Sequence, residues 1–275
     1  MFKTKVPHDG LSKKIPLEML PNTRDLGGMA GADGRKIRPG LLIRSGNLEK
    51  ASPEDLRQLG EKVSLVIDLR SYQEVEEHPD AVIPGAKYLH LPVIAEITPG
   101  ITKEDETKTF DEKTRDLVRS AGRSRAFMIK TYSDMADSDF ALQKYVKFVD
   151  CLLENEGGAV LWHCTAGKDR AGFAALIIQK ILGIPDDVIF RDYMFTNENM
   201  AGEIRAMVKN FRSQGGWMIP NLKKSVQYLF GAWPEFLEAL LLRIDERWGS
   251  FDGFLEKGLG ITEEKKILLR EKYLE

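Results

Sequence analysis

Eight consecutive residues, His163-Cys164-Thr165-Ala166-Gly167-Lys168-Asp169-Arg170, join a nucleophile to an anion-binding loop. The run before the loop core, Ala159-Val160-Leu161-Trp162, is apolar and follows Gly157-Gly158, as a buried strand would. After it, Ala171 to Leu182 has the apolar spacing of a buried helix. Strand, tight loop and helix in that order aim successive backbone N–H groups, and the positive end of the helix, at one point that suits a phosphate dianion. His163, Thr165, Ala166, Gly167 and Lys168 are thus candidate phosphate-binding positions, with Cys164 at the base of the loop. The same N–H groups, helped by Arg170 and His163, would stabilise a thiolate, the nucleophilic form of cysteine. Arg170 closes the loop and can grip two phosphate oxygens as a planar fork, which Lys would do less well. In-line attack by sulfur would give a phosphocysteine that water hydrolyses, and this chemistry calls for no metal and no cofactor.

Cys-x5-Arg alone is a weak signal, because it arises by chance. Here His precedes the cysteine, Gly167 lies inside and Arg170 closes the loop, which sets the motif apart from an inert buried thiol. Cys151 is the contrast: it shares an apparent amphipathic helix with Tyr145, Phe148 and Leu152 and reads as core.

With these residues the chain resembles the cysteine-dependent protein tyrosine phosphatase superfamily. Within it, the likeness is to the bacterial branch that holds a secreted mycobacterial tyrosine phosphatase and related lipid phosphatases. The likeness covers about residues 20 to 275 and is carried by more than the loop. Asn22-Thr23-Arg24-Asp25-Leu26-Gly27-Gly28, Ile43-Arg44-Ser45-Gly46 and Ile67-Asp68-Leu69-Arg70-Ser71 match the branch before the loop, and Asp192-Tyr193 and Thr196-Asn197-Glu198 match it afterwards. The resemblance implies Cys164 as nucleophile, Arg170 as phosphate binder, Asp169 as proton donor to the leaving oxygen, and Lys168 at the mouth. The segment that usually carries the acid in tyrosine phosphatases, here Tyr88-Leu89-His90-Leu91-Pro92, contains no Asp. Asp68, Asp105 and Asp111 therefore stand as alternatives to Asp169.

One position departs from the pattern. The superfamily usually has Ser or Thr after the loop arginine, where its hydroxyl bonds the thiolate and eases breakdown of the phosphocysteine; here it is Ala171. Either the second step is slow, or Thr165 or a water compensates, and a phospho-ligand binding module without turnover stays open as an alternative. A sulfur-transfer or arsenate-reducing enzyme is the other, since Val66 to Ser71 followed by Ile83-Pro84-Gly85-Ala86 resembles the opening of rhodanese domains. Against it, Cys164 comes late in the chain and Cys151 is poorly placed as a resolving thiol.

The elements that must hold this loop follow from patterning. Asp33-Gly34 marks a turn before a short strand at Leu41-Leu42-Ile43, and Ser52-Pro53-Glu54 opens a helix with Ser52 as its cap. Val63 to Leu69, Lys87 to Pro92 and Ala159 to His163 read as strands joined by helical or long connections. An α/β layered fold follows, with a central, mainly parallel sheet flanked by helices, as in the phosphotyrosine phosphatases. Ligand sites in such folds lie at the carboxyl ends of strands, so Asp68 and Arg70 are candidates to face the same cleft as Cys164; a buried ion pair or a helix cap is the other reading. Residues 95 to 125 are polar and are expected as a long mobile loop or short helices over the site. Residues 199 to 233, with Met200, Met207, Phe211, Trp217, Met218 and Ile219 around Gly215-Gly216, are expected as a lid. Phe236 to Leu242 and Ile261 to Leu274 read as helical scaffold.

Composition bounds the rest. At 275 residues, with 43% hydrophobic and 30% charged content, a single domain over 1–275 is expected, its first twenty residues an arm. No apolar stretch is long enough for stable membrane insertion, and the N-terminal residues lack a signal-peptide core, so the cytoplasm is the expected location, with export by another route left open. Two cysteines with separate roles argue for a reducing compartment. A net charge of −2 gives no support for a nucleic-acid partner, and no apolar seam specifies an oligomeric one. The expected partner is a phosphoprotein or phosphoinositide substrate: phosphotyrosine first, then phosphoserine/threonine, with polyanionic lipid head groups favoured by the extra charge of Lys168.

Overall fold

The computed structural model describes residues 10–94 and 110–275. Its sheet has six strands: β1 (Lys13–Lys14), β2 (Arg24–Asp25), β3 (Leu42–Ser45), β4 (Val63–Asp68), β5 (Lys87–His90) and β6 (Ala159–His163). They lie in the order β1-β2-β3-β6-β4-β5. β3, β6, β4 and β5 run parallel, and β1 and β2 add an antiparallel edge beside β3. β6 is the central strand and is buried at every residue, which explains its unbroken apolar run. Side chains alternate across it. Val160 and Trp162 enter the large core with Leu42 and Ile67, while Ala159 and Leu161 enter a smaller core with Ile43, Val63 and Val66.

Helices cover both faces. α1 (Pro53–Gly60) starts at Ser52 through a capping box with Asp55, as its Ser-Pro-Glu opening requires, and its Leu59 closes the smaller core. α2 (Tyr72–Glu77) repeats that chemistry, with Ser71 as cap and Glu74 three residues on. α3 (Phe110–Val118), α4 (Ala121–Asp137) and α5 (Asp139–Glu154) precede β6, and α6 (Arg170–Ile181) follows the loop. α7 (Asp186–Asn199), α8 (Ala201–Ser213), α9 (Leu222–Phe230) and α10 (Pro234–Trp248) come next. A single turn, α11 (Phe251–Gly253), runs into a π-helical stretch, Phe254–Gly258, before α12 (Glu263–Tyr273). No helix among the described residues is long and apolar enough to cross a membrane.

The expected strands and scaffold helices are present, α3 is one of the short helices expected within 95–125, and the segment expected as a helical lid is helical. Residues 10–20 are docked on the sheet: Lys13 and Lys14 pair with β2, Leu17 and Leu20 are buried, and the backbone and hydroxyl of Ser12 both donate to the buried Asp192 carboxylate. Of residues 95–125, the part from 110 onward is helical, and α4 is a long helix whose Met128, Tyr132 and Met135 are core; 95–109 lie outside the described residues. Residues 201–230 form two helices joined through a 3₁₀ turn at Gly216–Met218, with Ile204, Val208, Leu222 and Val226 in the core and Trp217 and Met218 exposed. The hydrophobic stripe of this segment is therefore largely packed, with Trp217 and Met218 left exposed in the turn.

Candidate active site

The loop leaves β6 at His163 and enters α6 at Arg170, with Cys164 almost fully buried between them. Its shape is set from outside. The Cys164 carbonyl lies 3.3 Å from His163 Nδ1, and the Thr165 carbonyl accepts from Asn47 N–H at 3.1 Å. Asn22 Nδ2 donates to the Ala166 carbonyl at 2.8 Å. Arg44 donates from Nε to Gly167 at 2.9 Å and from Nη2 to Lys168 at 3.1 Å. Five successive carbonyls are thus engaged away from the loop centre. In a trans peptide the C=O and the following N–H point opposite ways. The N–H groups of Thr165 to Asp169 therefore turn inward, and no described residue accepts from them. Asp169, the N-cap of α6, makes no side-chain cap bond, so the helix start adds its own free N–H groups at the same point.

Gly167 permits this path. Its φ is +67°, and a Cβ there would stand 2.4 Å from the Ser45 carbonyl oxygen. Behind the loop, Asp192 sits 3.3 Å from Arg24 and 3.7 Å from Arg44, all three buried, so the arginine that fixes two loop carbonyls is itself held by a carboxylate.

Arg170 is aimed by a residue that the motif does not contain. Glu74, on α2, receives both of its terminal nitrogens, with Nη2–Oε1 at 2.8 Å. Glu74 also accepts from the Thr165 hydroxyl and from Ser71 N–H, at 3.0 Å for the latter. Burial pushes the Glu74 carboxyl up, but Arg170 outweighs it and holds the group at about 2. Burial likewise pulls on Arg170, and Glu74 overcomes it and keeps the guanidinium above its usual range. The sequence signal for Glu74 was its place in Ser71-x-x-Glu74, a capping box; nothing in that pattern names Arg170 as its second partner.

Asp68 and Arg70 do not turn into the cleft. Arg70 spends its donors on Asp68 (Nε–Oδ1 2.9 Å), on Asp80 (2.6 Å) and on the His78 carbonyl (2.7 Å). Asp68 also accepts from Tyr88 Oη at 2.8 Å. Burial raises the Asp68 carboxyl and Arg70 pulls it well below the usual carboxylate range. The expectation of a cleft-facing pair is corrected to the buried ion pair, because a guanidinium at zero exposure must satisfy its N–H groups inside the protein. His163 joins this cluster from the other side, with Nε2 3.2 Å from Asp80. Asp68, Asp80 and His163 have metal-ligand chemistry and converge, but Arg70 already bridges the two carboxylates.

Lys168 also departs from expectation. Instead of lying at the mouth it is fully buried, donating to the carbonyls of Leu229 (2.9 Å) and Gly231 (3.1 Å) and standing 3.0 Å from Asp169 Oδ1. The end of α9 supplies unpaired helix carbonyls, natural acceptors for an ammonium. Asp169 is mostly buried, and its side chain borders a cavity of about 10 Å³ with Tyr132, Tyr193 and Arg44. Burial, and then the negative charge of Asp169, hold the Tyr132 hydroxyl well above the ordinary phenol range. Among the other acid candidates, Asp68 is tied up by Arg70, and Asp105 and the Asp111 side chain lie outside the described residues. Thr165 gives its proton to Glu74, so its hydroxyl is not the missing donor to sulfur. A separate groove of about 900 Å³ lies between α7, α8 and α9, floored by Phe190, Met194, Ile204 and Val208; none of its lining comes from the 163–170 loop.

The model of the tyrosine phosphatase family matches residues 15–275. The chain belongs to the tyrosine phosphatase family. It is 32% identical over 252 residues, 90% of this chain and 84% of the other, to a protein of Cupriavidus necator named as a tyrosine-protein phosphatase. It is 27% identical over 267 residues, 88% of this chain and 92% of the other, to the triple specificity protein phosphatase PtpB of Mycobacterium tuberculosis. A tyrosine-protein phosphatase of Nostoc commune matches at 24% over 225 residues, 80% of this chain and 68% of the other. Membership makes this family member a cysteine-dependent phosphatase and removes the sulfur-transfer and arsenate-reducing readings.

Proposed function

We propose that Cys164, Arg170 and Asp169 carry the reaction, on phosphotyrosine in proteins first and on phosphoserine/threonine and phosphoinositide head groups as further substrates. The observation that carries this reading is the ring of five outward-bonded carbonyls, which leaves the loop N–H groups free around Cys164. In the first step the Cys164 sulfur forms a bond to phosphorus as the bond to the leaving oxygen breaks. Asp169 gives that oxygen a proton. The loop N–H groups and Arg170 hold the three equatorial oxygens, whose charge is largest in the transition state. In the second step water attacks phosphorus, its proton passes to Asp169, and the P–S bond breaks with its electron pair returning to sulfur. His163, Thr165, Ala166, Gly167 and Lys168 shape the loop, and Lys168 acts from behind it. Asp68 and Arg70 brace the end of β4. The wider specificity is supported by the name of the mycobacterial relative and is proposed on that ground.

The test is hydrolysis of an aryl phosphate, a phosphotyrosyl peptide, a phosphoseryl peptide and a phosphoinositide by the wild type, Cys164→Ser and Asp169→Asn. Cys164→Ser should abolish phosphate release from every substrate. Asp169→Asn should slow the peptides about 10²–10⁴-fold and an ester with a good leaving group far less. An Asp169→Asn variant equally active on all of them would remove Asp169 as the acid.

A further inference from the structure

Position 171 carries no hydroxyl, but α5, in the same core layer, carries a buried one at Tyr145. Along β6, alternation puts Val160 and Trp162 into the large core, and Cys164, the next residue of that parity, joins them there. α5 reaches β6 through the short 155–158 connection, so helix and strand run past each other in opposite directions. Their register is fixed where the Phe148 ring meets the Trp162 ring edge-on, with centroids 5.4 Å apart. One helical turn before Phe148, about 4.5 Å along the axis, lies Tyr145; two residues after Trp162, about 6.6 Å along the strand, lies Cys164. Tyr145 is wholly buried, its ring 4.8 Å from Phe173, and its hydroxyl donates to the Arg170 carbonyl at a long 3.3 Å, with Met135 Sδ at 3.7 Å as the only other acceptor among the described residues. That leaves one proton between two weak acceptors beside a loop built to hold a sulfur anion. Position 171 offers only a methyl group, and its carbonyl is taken by Trp162 Nε1 at 3.0 Å.

We propose that the Tyr145 hydroxyl, bonded to the Arg170 carbonyl in this structure, turns its proton to the Cys164 sulfur once the thiolate forms, holding it for attack and taking up charge on sulfur as the P–S bond of the phosphocysteine breaks. No proton is transferred; the phenol stays intact while the electron pair of the broken bond returns to sulfur. Burial first, and then the negative charge of Cys164, oppose ionisation of Tyr145, so it stays a donor at every pH at which the enzyme works. Arg170 on α6, held by Glu74, interacts with the sulfur, and Asp169 at the head of that helix bears on both Arg170 and Tyr145. His163 points its ring at Asp80 on the far side. A hydrogen bond to an anion is stronger than the neutral bonds the hydroxyl makes otherwise.

The inference rests on the assignment of Cys164 as the nucleophile, and its test separates the two. In a Cys151→Ala background, Tyr145→Phe keeps the ring and loses the hydroxyl. Alkylation of Cys164 by iodoacetamide, followed against pH, reads the thiolate without any substrate; its midpoint should rise by about one pH unit. Rapid-quench turnover of an aryl phosphate should show phosphocysteine breakdown slowed about tenfold or more, with the first step less affected. The double variant Tyr145→Phe/Ala171→Ser should recover most of both losses. An unshifted alkylation midpoint in a Tyr145→Phe protein with wild-type thermal unfolding overturns the inference. So does an Ala171→Ser single variant that speeds breakdown tenfold, because the donor position would then have been empty. A shifted midpoint in a protein that hydrolyses no phosphate ester keeps the hydrogen bond and sinks the phosphatase assignment of the site.

Discussion

Replacing Glu74 with Gln keeps the size of the side chain and one acceptor oxygen, for either Ser71 or Thr165 but not both, and removes the charge that faces Arg170. The Glu74 carboxyl stands at about 2 against an ordinary 4.5, a difference worth about 3 kcal/mol of folding stability. The sign follows from the direction. A carboxyl lowered in the folded state contributes fully above pH 4.5 and loses its contribution as pH falls through about 2. Glu74→Gln should therefore unfold in urea with about 3 kcal/mol less stability at pH 7, a gap that narrows below pH 4 and nearly closes at pH 2. It leaves the Arg170 guanidinium buried without a counter-charge, for which about 3–5 kcal/mol is the usual cost, so the two routes to the magnitude agree. On the catalytic side, an arginine freed from its bidentate partner loses the fixed angle of its fork, so kcat/KM should fall by one to two orders of magnitude while the Cys164 burst remains. A Glu74→Gln protein as stable as wild type at pH 7, with unchanged kcat/KM, would refute the reasoning. So would a stability gap that stays constant from pH 7 to pH 3, which would show packing rather than charge as the cause.

Two further outcomes are expected. Gly167→Ala should destabilise the fold by about 3 kcal/mol or more in the same urea assay and abolish phosphate protection of the thiol, because the positive φ and the Ser45 carbonyl leave no room for a methyl group. Lys168→Met should speed amide hydrogen exchange in the last turn of α9 and at Gly231, with less change in α1, since it orphans the carbonyls of Leu229 and Gly231.

The sheet was legible because its strands are short apolar runs between turn signals, and Ala159–His163, buried on both faces, is the extreme case. The loop was legible because its function is written in consecutive residues. What surrounds it was not. Glu74 lies 96 residues from Arg170, and its local pattern already has a complete explanation as a helix cap. Lys168 reads as solvent-exposed because lysine almost always is; only the fold brings the open carbonyls of α9 to it. Asp68 and Arg70 illustrate the reverse: placement at a strand end was right, but the choice between cleft and interior depended on Asp80 and His78, whose positions the strand pattern does not give. Arg44, Asn22 and Asn47 stood within or beside matched motifs, yet their task of turning loop carbonyls outward exists only in three dimensions.

The alternation along β6 has a consequence for how this chain can change length. Inserting or deleting one residue between Ala159 and His163 would send Cys164 to the opposite layer, away from Tyr145, and would rotate Trp162 out of its place against Phe148. Changes in the 155–158 connection would shift no parity, although Gly157 and Gly158 lie tight against Ser64 and Lys62. The reactive thiol is thus protected by counting: tolerance to insertions should fall abruptly at Ala159 and return only beyond the buried α6, after Ile181.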